Sequence, residues 1–309
     1  MKQLKGVLLA MISSSTFGMI PLFALPALRS GMTLESVLFY RFGVSALIIG
    51  AYLLLRRNNL RISFKEFITL FVLGALYALT ALFLTASYLY VPSGIATTVH
   101  FLYPIVVTGI MILFFKSKAS LPVLLAAILA IGGVYLLSAN ENGGSVDTKG
   151  LAMVLITVLT YAVYIVGVNK SCIQNMEGLK MTFYVLLGAA IVFLSNLFLT
   201  GEEFSMIPNA SVGIHLLMLA LIPTLISDLT LILAIQQVGS TTTAILGCME
   251  PLTAVGMGVL FLNESFGPTQ LSGVLIILLA VFLVILESGG LLSLETWRSV
   301  FSINNKLKQ

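Results

Sequence analysis

Residues 86–137, ASYLYVPSGIATTVHFLYPIVVTGIMILFFKSKASLPVLLAAILAIGGVYLL, align without a gap onto residues 233–284, LAIQQVGSTTTAILGCMEPLTAVGMGVLFLNESFGPTQLSGVLIILLAVFLV. The offset of 147 pairs Val91 with Val238, Ser93 with Ser240, Pro104 with Pro251, Gly109 with Gly256, and Leu113-Phe114 with Leu260-Phe261. A shorter echo at an offset of 144 pairs Lys5-Gly6 with Lys149-Gly150, Thr16 with Thr160, and Phe39-Tyr40 with Phe183-Tyr184. The chain is one half written twice, and both copies lie in apolar runs of membrane length. In a polytopic membrane protein such halves form two bundles that rock about a shared site, which points to transport.

Composition places the chain in a bilayer. Hydrophobic residues make up 59% of its 309 residues and charged residues 9%, where a soluble domain carries about 25% charged. Mean hydropathy is +1.08. The net charge of +4 comes from Lys and Arg in short connectors, which is the pattern of topology signals and not of a nucleic-acid surface. Two cysteines, Cys172 and Cys248, suggest neither a disulfide framework nor a metal site. The run from Leu4 continues to about Leu28 with Pro26 across its one cleavage candidate, so it reads as a retained helix and not a leader.

A membrane-spanning helix needs roughly 20 apolar residues. Ten runs meet that length, at about 4–28, 34–56, 66–90, 93–115, 120–138, 150–170, 179–200, 212–237, 240–262 and 268–287. Connectors are short except Ala139–Lys149, which is polar and Gly-rich. Five spans per half is an odd number, so the second half runs in the opposite sense and the repeats are inverted. With both termini inside, thirteen Lys and Arg fall on the cytoplasmic side and only Arg29 and Lys149 outside, a strong positive-inside bias. The expected fold is an all-α membrane protein of two inverted five-helix repeats, N-in and C-in. Residues 1–138 form the first repeat, 139–149 an extracytoplasmic linker, 150–287 the second repeat, and 288–309 a cytoplasmic tail. In that tail Leu291, Leu294, Trp297 and Phe301 recur at helical spacing, as in an amphipathic anchor.

Several segments resemble the EamA-type branch of the drug/metabolite transporter superfamily. Leu246–Glu264 (LGCMEPLTAVGMGVLFLNE) is similar to that family's acidic-Pro helix and its Asn-Glu turn. The span with Gln270 and Gly273 resembles its last helix, FYRF at Phe39–Phe42 its second-helix arginine, and Ser14–Pro21 (SSTFGMIP) its first-helix signature, with Phe17-Gly18 where Trp-Gly is usual. Tyr103 and Ser117 stand in the first half where the second has Glu250 and Glu264, so those acids belong to one half only. The resemblance implies export or exchange of small metabolites, often amino acids.

Ionisable groups at membrane depth cost about 2.5–3.5 kcal/mol on insertion scales and face a cavity or a partner. There are four: Arg41, His100, Asp228 and Glu250. Glu250 lies near mid-span beside Pro251, which interrupts the backbone ladder at that depth. It reads as an ammonium or proton site, or as a structural carboxyl bonded to a neighbouring helix. Asp228 replaces Ala81 of the other half, which favours selectivity over shared scaffold. His100 shares a face with Thr97, Tyr103 and Pro104, as a cavity-lining group or a satisfied packing group. Arg41 is expected to snorkel, or to pair with Glu35, Glu264 or Asp228, in a structural or gating role. Tyr77 and Tyr164 are mid-helix and would flank the substrate, whereas Tyr88 and Tyr90 fit an interfacial belt. Ser14 lies in a polar patch of the first span that lines a pathway or bonds its own helix. Gly109, Gly132, Gly133, Gly256, Gly258 and Gly273 read as close-packing surfaces.

The substrate pathway is therefore expected among spans 1, 3, 4, 6, 8 and 9, between His100 and Tyr103 on one half and Asp228 and Glu250 on the other. A zwitterion such as an amino acid suits it. A nucleotide-sugar or drug carrier is the alternative, and an integral-membrane enzyme would need polar clusters at a surface that the short connectors lack. No Walker loop and no metal-ligand spacing appear, so no cofactor is implied. The expected partners are a small molecule and the lipid bilayer, with no nucleic acid. Proton coupling through the buried acids and His100, and monomer against homodimer, stay open.

Overall fold

The computed structural model describes residues 2–116, 147–200, 203–247, 249–265 and 267–288, and six single positions between 117 and 146. All regular structure there is helical: α1 (Lys2–Phe17), α2 (Ile20–Arg29), α3 (Leu34–Leu55), α4 (Phe64–Ser87), α5 (Ser93–His100), α6 (Tyr103–Phe115), α7 (Thr148–Lys170), α8 (Gly178–Thr200), α9 (Ala210–Ala220), a π-helical turn (Leu221–Ile226), α10 (Ser227–Val238), α11 (Ser240–Leu246), α12 (Met249–Phe261) and α13 (Pro268–Ser288). Joined across their breaks, these give eight segments long and apolar enough to cross a membrane. The tenth expected span is α13, whose apolar stretch Leu271–Ala280 is shorter. Apart from those six positions, the fifth span (120–138) lies outside the described residues, as do the linker 139–146 and the tail from 289.

Local chemistry sets several helix starts. Ser63 caps α4 in a reciprocal box, its hydroxyl accepting from Glu66 N–H (3.3 Å) while its own N–H donates to Glu66 Oε2 (2.6 Å). Asp147 accepts from Lys149 N–H at the start of α7 (2.8 Å), and Asn209 from Val212 N–H at the start of α9 (3.0 Å).

Four expected spans are not continuous helices. The first breaks at Gly18-Met19, the fourth at Phe101-Leu102 and the ninth between Leu246 and Met249; the eighth passes through the π turn. Pro21, Pro104 and Pro251 each lie in the first turn of the half that follows. There a missing N–H costs nothing, and the ring favours starting a helix over continuing one. The broken spans also meet: a Cβ on Gly18 would collide with the Glu250 carbonyl oxygen, so glycine permits the approach of α1 to α12.

The packing repeats with the sequence. A Cβ on Gly6 would meet Val238 Cγ1 (2.6 Å), and one on Gly150 would meet Val91 Cγ1 (2.9 Å); the two offsets make these equivalent pairs. Ser13 and Ser227 exchange hydroxyl-to-carbonyl bonds of 2.9 and 3.0 Å. Thr80 and Thr160 hydroxyls pair at 2.7 Å. Hence α1 runs antiparallel to α10, and α7 antiparallel to α4. Phe42 stacks on Phe193 (5.6 Å) while Gly50 abuts Phe183, so α3 is antiparallel to α8. The outer surface carries Leu47, Leu54, Phe198 and Leu199 exposed, as only a lipid-facing surface tolerates. Three glycine expectations are corrected: Gly109, Gly132 and Gly256 have no atom within 4 Å of a built Cβ, whereas Gly133 and Gly258 pack closely.

Candidate functional site

Spans from both halves bring their scarce polar groups to one buried centre. His100, at the end of α5, places Nε2 3.8 Å from Glu250 Oε1 in the first turn of α12, and its Nδ1 lies 2.7 Å from Thr157 Oγ1 of α7. Glu250 also bonds Tyr103, which opens α6. The α12 start offers its carboxylate the positive end of a helix. On the neighbouring side Tyr164 donates to Asp228 Oδ1 (2.6 Å), joining α7 to α10. Arg41 of α3 donates through Nε to Thr224 Oγ1 (2.8 Å) and bonds Tyr77 of α4.

The π turn positions this last group. Its wider winding leaves carbonyls without helical donors; Thr224 Oγ1 donates to Leu219 O (2.7 Å), and Ser45 Oγ to Ala220 O (2.7 Å). Thr224 therefore presents its hydroxyl oxygen to the guanidinium. Thr224 and Tyr77 are equivalents under the 147 offset, so Arg41 is held between matching positions of the two halves.

An aromatic slab connects the two clusters. Tyr77 stacks on Tyr164 (5.1 Å), Tyr103 meets Tyr161 edge-on (4.7 Å), and Phe17 lies against both His100 (5.9 Å) and Tyr161 (5.6 Å). All these groups are buried, with Arg41 1%, Asp228 0% and Glu250 1% exposed. Four polar atoms here make no hydrogen bond: Arg41 Nη2, His100 Nε2, Asp228 Oδ2 and Glu250 Oε1. Buried polar atoms are almost always bonded, so four unbonded ones around a single centre are unusual, two of them, His100 Nε2 and Glu250 Oε1, facing each other at 3.8 Å.

His100, Tyr103, Asp228, Glu250, Tyr77 and Tyr164 thus share one centre. Pro104 and Pro251 stand at its two α6 and α12 entries. Ser14 bonds its own helix, its hydroxyl donating to Ala10 O and Met11 O (3.0 and 3.1 Å), and it also reaches Leu246 O across the break of the ninth span (3.4 Å). Arg41 departs from the snorkelling expectation. It points inward because Thr224, Tyr77 and the face of Phe42 (5.1 Å) receive it, and Glu264 is engaged elsewhere, on Ser93 and Gly94. Tyr88 leaves the expected belt and is buried near Thr97 (3.5 Å), while Tyr90 stays exposed and accepts from Lys149 Nζ (3.0 Å). Tyr161, Thr157, Phe17 and Thr224 are central residues outside the set of expected site residues. Among the described residues no group of three His, Cys, Asp or Glu could hold a metal ion.

A multi-pass helical protein with a polar centre shared by two like halves has the build of a membrane transporter. The EamA-like transporter family model matches residues 4–139 and again residues 148–286, so the chain belongs to that family, with one copy of its domain in each half. It is similar to the uncharacterized inner membrane transporter YicL of Salmonella typhimurium, at 24% identity over 199 residues, 62% of this chain. The match spans 64% of that relative's length. A crystal structure of another protein superposes with a TM-score of 0.68 at 14% identity, covering 92% of this chain and 97% of that one. At that identity it speaks for the fold alone.

Proposed function

We propose that the chain is a secondary transporter or facilitator of the cytoplasmic (inner) membrane. It moves a small amino-acid-like zwitterion, in export or exchange, by alternating access at the buried centre. The observation that carries this is the set of four unbonded atoms. They comprise a cationic donor (Arg41 Nη2), two carboxyl oxygens (Asp228 Oδ2, Glu250 Oε1) and an imidazole nitrogen. A substrate carboxylate complements the guanidinium fork, an ammonium complements the acids, and the tyrosine slab receives an apolar side chain. Arg41 is the one Lys or Arg of this centre among the described residues, too little cation for a nucleotide-sugar.

Ten spans in two inverted repeats, N-in and C-in, form the proposed architecture. The antiparallel pairs α1/α10 and α4/α7 support inversion. Lys170 lies over the Phe115 ring (5.6 Å), whereas Thr148, at the other end of α7, is roughly 33 Å away at 1.5 Å per residue. Residues 115 and 148 therefore sit at opposite ends of the bundle, which supports one further crossing between them. The relative's printed name supports placement in the inner membrane.

Counterflow in proteoliposomes against labelled amino acids, polyamines and nucleosides, with and without a pH gradient, tests the reading. Saturable exchange of one amino-acid class is expected. Unchanged kinetics in both Asp228→Asn and His100→Ala would remove the site assignment.

A further inference from the structure

We propose that His100 and Glu250 together form a two-acceptor fork, which selects a substrate amine carrying at least two N–H hydrogens. The inference rests on the transport reading above. It adds to that reading a role for the imidazole and a limit on the substrate.

The Thr157 hydroxyl fixes the tautomer of the imidazole. A hydroxyl has one hydrogen, and Thr157 Oγ1 donates it to Val154 O one turn back, at 2.6 Å. Toward His100 Nδ1, 2.7 Å away, the same oxygen can therefore only accept, so Nδ1 carries the hydrogen. The other nitrogen of a neutral imidazole is then a bare acceptor. Here it is Nε2, which faces Glu250 Oε1 with both atoms buried and unbonded. Tyr103 bonds the same carboxyl and leaves Oε1 open.

Two acceptors thus oppose each other across 3.8 Å. That separation is too long for one hydrogen bond, which needs about 2.7–3.2 Å, so a single proton between them serves neither well. It suits one donor nitrogen set beside the line that joins them. At about 2.9 Å from each acceptor, such a nitrogen sees the two at an angle of about 82°. Its own N–H bonds, about 109° apart, then miss the acceptors by roughly 14° each, which a good hydrogen bond tolerates. An ammonium supplies that pair of hydrogens together with the positive charge that strengthens a bond to a carboxylate. A dimethylated amine has one hydrogen to give and a trimethylated amine none. The rings of Phe17, Tyr103 and Tyr161 lie 5.9, 5.3 and 5.1 Å from the imidazole and put around the fork the π surface that favours a cation.

Two measurements test the fork. Nitrogen-15 NMR of the full chain in lipid nanodiscs reads the tautomer without a substrate, with His215→Asn leaving His100 as the one histidine. Nδ1 protonated and Nε2 bare is the expected state, and a protonated Nε2 overturns the fork. The second measurement is counterflow in proteoliposomes. There N-methyl-, N,N-dimethyl- and N,N,N-trimethylleucine compete against labelled leucine, or the matching series against whichever amino acid of the panel exchanges. Competition should hold after one methyl group and fall at least about tenfold at the second, where one charge-assisted bond is lost. In His100→Ala the unmethylated amino acid should bind about tenfold more weakly, and the step between one and two methyl groups should largely vanish. Equal competition by the mono- and dimethylated forms in the wild type, or an undiminished step in His100→Ala, overturns the fork and leaves Glu250 acting by charge alone or sharing a proton with His100. Exchange confined to compounds without an amine also overturns it, while the transport reading stands. A polyamine that exchanges in place of amino acids, with the same step on methylation, keeps the fork and overturns the zwitterion. No exchange of any compound overturns both.

Discussion

Arg41, His100, Asp228 and Glu250 each occupy a position where the other half carries a different residue. Arg41 corresponds to Val185, Asp228 to Ala81, His100 to Gly247 and Glu250 to Tyr103. The scaffold is duplicated, and the chemistry is written into the differences. Removing one partner from a buried, charge-bearing contact leaves the other unpaired, so Asp228→Asn and Glu250→Gln should each lower transport at least about tenfold with the protein still folded, as initial-rate uptake into proteoliposomes will read. Tyr164→Phe removes only the 2.6 Å bond to Asp228, and about 1 kcal/mol should appear as a smaller loss, about fivefold. Arg41→Lys keeps the charge and gives up the fork held by Thr224 and Tyr77, so the apparent KM should rise about tenfold with the maximal rate little changed. The four ionisable groups were legible in the sequence because such residues are scarce in apolar runs. Tyr161, Thr157 and Phe17 were not, since an uncharged residue in a membrane helix is commonplace. A signal existed: Thr157, Tyr161 and Tyr164 recur at i, i+4 and i+7, on the face where His100 and Asp228 bond.

At the scale of the elements, the lengths of the apolar runs located the spans, and their breaks escaped because hydropathy does not change across them. What breaks the first, fourth and ninth spans is a proline in the turn that follows, and what brings the first and ninth breaks together is the missing side chain of Gly18. Gly18→Ala should therefore cost about 1–3 kcal/mol of stability through forced displacement of the Glu250 backbone, with transport falling alongside. Gly109→Ala, where a built Cβ meets nothing within 4 Å, should be neutral or slightly stabilising by helix propensity. Thermal unfolding of the two variants in one detergent compares them, and equal loss in both would contradict the packing described. The π turn was likewise hidden, because winding wide by one residue leaves the apolar pattern of 212–237 intact.

Over the whole molecule, the offsets of 144 and 147 read from sequence reappear as physical contacts: Gly6 on Val238 and Gly150 on Val91. Repeat and packing are the same statement at two levels, which is why the duplication was the most informative feature of the chain. Contacts of Asn58 with Glu177 and of Arg61 with Lys180 put the 56–63 and 171–177 connectors on one face. Contacts of Thr33 and Ser36 with Ser205 put the 30–33 and 203–209 connectors together, on the opposite face in the proposed inverted arrangement. Impermeant maleimide should accordingly label cysteines at Asn59 only in inverted vesicles and at Met206 only in intact cells. The measurement closest to the central claim is amino-acid counterflow by wild type and by Asp228→Asn reconstituted side by side. Saturable exchange in the wild type that falls at least about tenfold in the variant is the predicted result. Equal exchange in both would mean that the buried centre of Arg41, His100, Asp228 and Glu250 is not where substrate crosses.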